Sequence, residues 1–398
     1  MKAAGIICEY NPFHLGHKAH IEKTRMLLGG DCAVVCVMSG NFVQRGDFAV
    51  FSKHSRALSA VLCGADLVLE LPTPYALSSA EGFARAGVHI IDSLGVCDYI
   101  SFGSETGDIN MLKEAAEMIV TTEAKALIKG WLGEGLPYAA ALQKAADAKM
   151  GTRSDVFKSP NNMLGIEYLK ALGARGSSLE PVTVKRTGGA HDGDTDFSAF
   201  ALRKMMLSGD MCWEKLPQES AKICMEETAA GRGPISMKAY ELAMLSRLRT
   251  AEGFFGLPGT SEGLDRRFKR YAADQPSVAE LLDKIKTKRY AMSRLRRMLM
   301  FACLGFTEDD MIEPPPYIRV LAINQAGMKL IKEAQAKTNL PIITKPAAAK
   351  KLPGRAGELF RKEAAATDFY TLGYPNEKER RGGQEWTISP AVVGRGDY

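Results

Sequence analysis

Several features that would assign the chain to a familiar class are missing from its 398 residues. No run of about 18 or more apolar residues occurs, so we expect no membrane span. The eight cysteines form no CxxC pair, which argues against a zinc ribbon or a dithiol redox site, and we expect buried, reduced thiols. The short apolar stretch near the N-terminus does not resemble a secretory leader, so we expect a cytoplasmic protein.

Two nucleotide and metal signatures are also missing. The chain contains no GxxxxGK[ST] phosphate loop and no HExxH zinc motif. Histidine is scarce, with six residues in all, yet His14, His17 and His20 fall within the single stretch EYNPFHLGHKAH. This concentration indicates a function for that stretch.

Strand and helix patterns alternate through the first 110 or so residues. The apolar runs KAAGIICEY, CAVVCVMSG, DLVLELP and VCDYISFGSE are typical of buried strands, and segments with helical spacing separate them. The alternation predicts an α/β fold with a parallel sheet, and the pattern becomes mostly helical from about residue 210. Such sheets bind ligands beyond the carboxyl ends of their strands, which here carry EYNPFHLGH, MSGNFVQRGDF and FGSETGD.

The first of these loops has the chemistry of an anion site. Pro12 forces the chain out of the sheet, and Gly16 allows close backbone approach at the start of the next helix. His14 and His17 share one face of its first turn, beside unpaired amides and the positive end of the helix dipole. A nucleoside triphosphate fits such a site. Zinc binding by HxxH and histidines without function are the alternatives.

NPFHLGH resembles the HxGH signature of the nucleotidyltransferase superfamily. The ordered set GIICEYNPFHLGH, MSGNFVQRGDFAVFSKHSRA, ADLVLELPTPYALSSAEGFARAG, SPNNMLGIEYLKAL, VKRTGGAHD, TKRYAMSRLRR and LPIITK is similar to one family, the bacterial tRNA(Met) cytidine acetate ligases. The resemblance implies a Rossmann-like sheet of the nucleotidyltransferase type, followed by a mostly helical C-terminal region. It also implies three segments: a catalytic domain over 1–208, a basic tRNA-binding domain over 209–375 and a polar tail over 376–398.

The resemblance implies an ATP-dependent reaction in two steps. Acetate attacks ATP to give acetyl-adenylate, and the exocyclic amine of the wobble cytidine of elongator tRNA(Met) then takes the acetyl group. Mg²⁺ is expected with ATP, and no protein-held metal site is expected. A small-molecule adenylyltransferase and a non-catalytic RNA-binding protein with a nucleotide-binding fold are the alternative hypotheses.

The family's catalytic and ATP-binding positions carry over residue by residue. The implied catalytic residues are His14 and His17. The implied ATP-binding residues are Ile7, Cys8, Glu9, Tyr10, Asn11, Pro12, Phe13, His14, Leu15, Gly16, His17, Lys18, Ala19, His20, Gly103, Asn162 and Arg186. Alternatives are a plain turn for Gly103, a helix N-cap for Asn162 and a surface salt bridge for Arg186.

A second superfamily motif, ISSTxIR, corresponds here to FSAFALR. Ser198 and Arg203 keep its hydroxyl and guanidinium and are candidate phosphate contacts. Arg45 and Lys53 lie near the second loop and could add positive charge there, or they could be solvated surface residues.

A basic segment lies in the C-terminal half. Between residues 266 and 297 there are eleven Lys and Arg against three acidic residues, which favours a polyanionic partner. On a helix, residues 289, 293, 296, 297 and 300 would share a face, although such a charge run is as often a solvated surface. The candidate tRNA-binding residues are Lys288, Arg289, Arg294, Arg296 and Arg297.

Overall fold

The computed structural model describes residues 1–186, 198–210, 212–254, 256–260, 263–287 and 290–394. Its strands are β1 (Ala3–Cys8), β2 (Ala33–Ser39), β3 (Phe42–Val43), β4 (Asp47–Phe48), β5 (Leu67–Leu71), β6 (Tyr99–Ser104), β7 (Glu180–Lys185), β8 (Ile318–Asn324), β9 (Ile342–Ile343) and β10 (Ala391–Val393). Its α-helices are α1 (Leu15–Leu28), α2 (Lys53–Leu62), α3 (Thr73–Ala76), α4 (Ala80–Leu94), α5 (Ile109–Val120), α6 (Thr122–Gly133), α7 (Tyr138–Met150), α8 (Pro160–Arg175), α9 (Ala199–Ser208), α10 (Gln218–Ala229), α11 (Glu241–Thr250), α12 (Leu264–Asp274), α13 (Val278–Ile285), α14 (Met292–Leu304), α15 (Gln325–Ala334), α16 (Gly354–Thr371) and α17 (Gln384–Thr387).

An eight-stranded sheet forms the centre of the molecule, in the order β10-β8-β5-β2-β1-β6-β7, with β9 also pairing to β8. Strands β5, β2, β1, β6 and β7 are parallel, and β8 runs antiparallel to β5. The predicted α/β class and mostly helical C-terminal region are therefore confirmed. Strand order reverses at β1, whose neighbours lead away in opposite directions, and such a switch point opens a crevice at the carboxyl edge.

Both faces of the sheet are covered, because successive strand residues point to opposite sides. In β2, Val35 and Val37 pack into the core cluster that contains α4, whereas Val34, Cys36 and Met38 pack into the cluster that contains α2. The continuous apolar runs of the sequence follow from this two-sided burial. All eight cysteines are free thiols, and six of them are fully buried. Within the described residues, no helix is both long enough and apolar enough to cross a bilayer.

The sheet contains strands from all three predicted segments. Strand β8 comes from the second segment and β10 from the third, and both pair within the main sheet. The sequence pattern around β8 predicts a strand, but not its antiparallel place beside β5. The division into catalytic, tRNA-binding and tail segments stays a prediction about function, since the fold itself spans those boundaries.

A buried group of charges fixes the third segment to the first. Lys53 Nζ lies 2.7 Å from Glu70 Oε1 and 2.6 Å from Glu385 Oε2, and Arg319 Nη2 lies 3.2 Å from Glu385 Oε1. Each of these side chains is at most 3% exposed. Lys53 is therefore neither a surface residue nor a contributor of free charge to the second loop, because two carboxylates neutralise it. Glu385 belongs to the segment predicted as a polar tail, and its burial anchors that segment.

Replacing Glu385 with Gln keeps the side-chain volume but leaves Lys53 and Arg319 short of one buried negative charge. We expect a loss of about 3 kcal/mol in the free energy of unfolding, measured by urea denaturation. Glu377→Gln is the matched control, because its 3.6 Å pair with Arg380 is solvent-exposed and contributes little. Equal stabilities of the two variants would contradict this role for Glu385.

Candidate active site

The loop between β1 and α1 lies at the switch point of the sheet and is bound from several directions. Tyr10 adopts a positive φ of 45°, and the Asn11–Pro12 peptide bond is cis. The side-chain oxygen of Asn11 accepts a hydrogen bond from Val50 N at 2.9 Å. Three side chains donate to loop carbonyls: Arg56 to Glu9, Arg203 to Asn11 (2.7 Å) and Ser220 to Phe13 (2.9 Å). These donors fix the path by which the chain enters α1.

Helix α1 begins with a capping box made of two histidines. His14 is the N-cap, and its Nδ1 accepts from Gly16 N at 3.0 Å. His17 Nδ1 accepts from His14 N at 3.3 Å, and the two ring centroids are 3.8 Å apart. An Nδ1 that accepts leaves the proton of a neutral imidazole on Nε2. Each ring can therefore donate through Nε2, beside the positive end of the helix dipole.

A cavity opens beside this helix end. Nine of the predicted ATP-binding residues line it: Ile7, Cys8, Glu9, Tyr10, Asn11, His17, His20, Gly103 and Arg186. The other eight do not: Pro12, Phe13, His14, Leu15, Gly16, Lys18, Ala19 and Asn162. His14 is 9% exposed and stacks on His17, so it lies behind that ring. Contacts with ATP stay a prediction for all of these residues.

His20 lies on the same face of α1 and stays neutral near physiological pH. Its Nε2 is 3.2 Å from Ser101 Oγ, which also contacts Thr24 Oγ1 at 2.7 Å. Burial, together with the positive charges of Arg186 and Lys23, lowers the pKa of His20 to about 4. It is suited to hydrogen bonding rather than to carrying positive charge.

Gly103 and Arg186 meet at the carboxyl ends of the paired strands β6 and β7. Arg186 N donates to Ser104 O at 2.9 Å, and a Cβ on Gly103 would lie 3.2 Å from Arg186 Cγ. The missing side chain of Gly103 thus gives the exposed Arg186 room beside the cavity. The guanidinium forms no salt bridge with a described residue, which leaves it available to an anion.

Asn162 has a supporting position. Its Oδ1 accepts from the amides of Glu105 and Thr106, at 2.9 and 3.1 Å, so it braces the loop after β6. The alternative interpretation of Asn162 as an N-cap is wrong, because Pro160 already occupies the first turn and Ser159 is the N-cap. The neighbouring Asn161 lines the cavity.

The FSAFALR stretch contributes its arginine and not its serine to the cavity. Ser198 caps α9 by accepting from Ala201 N at 3.1 Å, and it does not line the cavity. Arg203 lines the cavity and holds the first loop through its hydrogen bond to Asn11. Arg45, from the hairpin of β3 and β4, also lines the cavity. Burial lowers the pKa of Arg203, while the nearby Glu9 opposes that shift. Among the described residues, the lining therefore combines Arg45, Arg186 and Arg203 with one carboxylate, Glu9.

Arg56 is a residue that sequence reasoning missed. Its side chain is 2% exposed and donates to the carbonyls of Glu9, Ser39, Gly40 and Phe51. These carbonyls belong to the first two loops, so one guanidinium joins them. The only signal in the sequence was its position in SKHSRA, which reads as an ordinary exposed helix start.

The basic helix α14 distributes its arginines in different directions. Arg296 Nη1 faces Asp47 Oδ2 at 3.8 Å, whereas Arg294 and Arg297 line a second cavity. Residues 293, 296, 297 and 300 all lie on α14, and Met300 at the end of that face is fully buried. A cationic, tRNA-binding role for this face stays a prediction. Lys288 and Arg289 lie outside the described residues.

The comparisons with known proteins agree with this geometry. Residues 1–385 match the family described as HIGH Nucleotidyl Transferase. The chain is 37% identical to a tRNA(Met) cytidine acetate ligase of Acetivibrio thermocellus, over 99% of this chain and 100% of the relative. It is 39% identical to the protein of that name in Caldicellulosiruptor saccharolyticus, over 85% and 86%.

The structure also matches a crystal structure of Thermotoga maritima TmcAL bound with alpha-thio ATP. The TM-score is 0.91 at 32% identity, covering 99% of this chain and 100% of that one. An apo structure of the same protein gives 0.92. The fold and site thus define a nucleotidyltransferase of the HIGH class. Within that class, the chain belongs to the tRNA(Met) cytidine acetate ligase family.

The lowered pKa of His20 predicts a pH dependence of stability. An unfolded histidine has a pKa near 6.5, whereas that of folded His20 is about 4. Between these values the unfolded chain binds a proton that the folded chain does not, so stability falls as pH drops from about 6.5 to 4. His20→Gln should make that fall shallower, measured as urea midpoints at several pH values. If the urea midpoint fell equally with pH in the variant and the parent, the lowered pKa would not belong to His20. Burial also lowers the pKa values of His54 and His89, but these two residues are the same in the parent and in the variant, so they contribute equally to both curves.

Proposed function

We propose that the chain activates acetate with ATP and transfers the acetyl group to the wobble cytidine of elongator tRNA(Met). The observation that carries the proposal is the histidine-capped N-terminus of α1 at the switch point of the sheet. Relatives at up to 39% identity bear the name tRNA(Met) cytidine acetate ligase. The neighbouring crystal structure holds an ATP analogue. Since these substrates are cytoplasmic, we also propose a cytoplasmic location.

In the first step, an acetate oxygen bonds to the α-phosphorus of ATP and pyrophosphate leaves. The bond that breaks places negative charge on the leaving phosphate, and fixed donors stabilise such charge without reorganisation. His17 Nε2 and the first amides of α1 can supply those donors. Arg186 and Arg203 are the proposed cationic contacts, because both line the cavity. The protein's contribution is positioning and electrostatic stabilisation.

In the second step, the exocyclic nitrogen of cytidine attacks the acetyl carbon, loses a proton and displaces AMP. The wobble base lies in a single-stranded loop, so its amine is reachable without opening a duplex. The proposed tRNA-binding residues are Arg294, Arg296 and Arg297 on α14, together with Lys288 and Arg289. Arg296 lies against the hairpin that carries Arg45, which brings basic surface next to the ATP cavity.

We propose that Mg²⁺ enters with ATP. Magnesium commonly binds nucleotide phosphates together with one or two carboxylates and several waters. Glu9 is a carboxylate in the lining, and its Oε1 is held by Gln44 N at 2.7 Å, so the residues present fit such an ion. When bound, the ion neutralises phosphate charge. ATP–pyrophosphate exchange should stop with excess EDTA and return with added Mg²⁺.

Incubation with ATP, labelled acetate and total tRNA separates the candidate functions. The proposal predicts label in elongator tRNA(Met) as N-acetylcytidine, with AMP and pyrophosphate as products. Transfer of AMP to a small acceptor would instead identify an adenylyltransferase, and binding without turnover an RNA-binding protein. Either result contradicts the proposal.

His17→Ala removes the phosphate donor at the head of α1. Acetate-dependent ATP–pyrophosphate exchange should fall about 10²- to 10³-fold, as expected for one preorganised donor. His14→Ala should also lower it, because His14 caps the helix and supports the His17 ring. Tight tRNA binding should persist in both variants.

Glu22→Ala, on the exposed side of the same helix, is the control and should keep parental exchange. If the histidine variants lost tRNA binding but kept exchange, the proposal that the histidines serve the ATP reaction rather than tRNA binding would be wrong.

A further inference from the structure

A second and larger cavity, of about 570 Å³, lies between α4, α8 and α14. It shares no lining residue with the cavity at the head of α1. Its volume is in the range of small-molecule and nucleotide sites. Its lining combines apolar side chains such as Phe301 and Ile312 with arginines from three helices.

The charges in this cavity favour an anion. The Arg297 guanidinium forms no hydrogen bond or ion pair with any described residue, although Arg297 is half-buried. Burial and the neighbouring Arg294 lower its pKa to about 10, which still leaves it cationic at neutral pH. Arg85 also lines the cavity and likewise has no partner in the described ranges, and Glu308 is the one carboxylate in the lining. Buried, uncompensated guanidinium is costly unless a ligand pairs with it.

Arg294 shows how the cavity is organised. Its guanidinium donates to Gly259 O at 2.8 and 3.1 Å and lies over the Tyr290 ring at 5.2 Å. These contacts hold it in place at the cavity wall beside Arg297. At the opposite end, Arg175 pairs with Asp92 at 2.8 Å, so its charge is already offset. Arg85, on α4, is exposed to solvent, so the partly buried charge that favours an anion is that of Arg297 at the α14 end.

Helix α14 connects this cavity with the ATP site. The turn at Gly46 packs directly on the backbone of Arg296 and Arg297, where a Cβ would lie only 2.7 Å from that of Arg296. The same hairpin carries Gln44 and Arg45, which line the ATP cavity. If an RNA strand places a base in the ATP site, only a short length of RNA backbone therefore separates that base from α14.

We infer that the second cavity holds a nucleotide of the tRNA that flanks the acetylated cytidine, with its phosphate at Arg297 and its base against the apolar wall. The inference rests on the proposed function and deepens it by naming a subsite for the RNA. Nucleotides of a single-stranded loop can unstack and enter such pockets, where apolar contact and phosphate pairing act together. A free nucleotide carries the same chemistry, so the test distinguishes the two sources.

Two variants test the subsite by different means. Arg297→Gln removes the charge and should weaken binding of an anticodon stem-loop about tenfold, the loss of one charge-assisted phosphate contact. It should also reduce the slope of log affinity against log salt by about one. Ala174→Trp fills the mouth of the cavity from an exposed position on α8 and should weaken binding without a charge change. Acetate-dependent ATP–pyrophosphate exchange and melting temperature should stay parental in Ala174→Trp.

Arg266→Gln is the matched control, an equal loss of charge in the same basic segment but outside the cavity. Equal weakening in Arg266→Gln and Arg297→Gln, or parental binding in Ala174→Trp, would overturn the subsite. Titration with CMP distinguishes the RNA from a free nucleotide as the ligand. If Arg297→Gln abolished CMP binding but left RNA binding unaffected, the cavity would be a free-nucleotide site and the inference would be overturned. A parental chain that binds RNA through Arg297 but acetylates nothing would support the subsite while rejecting the proposed function.

Discussion

The active-site geometry depends on the donors that hold the carbonyl groups of the loop between β1 and α1. Arg56 and Arg203 bind carbonyls on either side of Tyr10, whose positive φ is an unusual backbone conformation for a non-glycine residue. With those carbonyls occupied, the loop delivers His14 into the N-cap position with its ring against His17. The helix head is thereby preorganised before any ligand binds, which is the condition for electrostatic stabilisation of a leaving phosphate.

A second group of buried charged side chains lies at the same edge of the sheet, and its positive and negative members neutralise one another. Lys53 and Arg319 are matched by Glu70 and Glu385, whereas among the described residues the Arg56 guanidinium donates only to carbonyl groups. Burial lowers the pKa of Arg56, yet an arginine stays cationic. The carboxylates of Glu9 and Glu70 oppose that shift, and the guanidinium stays beneath the loop that it holds. The two groups have different roles: the paired charges join distant segments, and Arg56 supports the loop of the candidate site.

Much of the fold could be predicted from sequence, because two-sided burial makes parallel strands read as continuous apolar runs separated by helical spacing. The scarcity of histidine and the proline and glycine around His14 and His17 indicated where the candidate site lies, and its contacts with ATP stay a prediction. Residues whose role depends on distant partners could not be predicted. Lys53 and Arg56 look like surface charges until the C-terminal segment and the loop carbonyls surround them. Asn162 looks like a cap or a ligand contact until the loop after β6 folds onto it, and nothing in the pattern around β8 specifies its antiparallel pairing.

A crystal structure of this chain with a non-hydrolysable ATP analogue is the most direct test of the preorganised helix head. The account predicts the triphosphate at the N-terminus of α1, with a phosphate oxygen about 3 Å from His17 Nε2 and the loop between β1 and α1 unmoved. A triphosphate bound instead among the arginines of the cavity beside α14, with the two histidines packed only against protein, would contradict it.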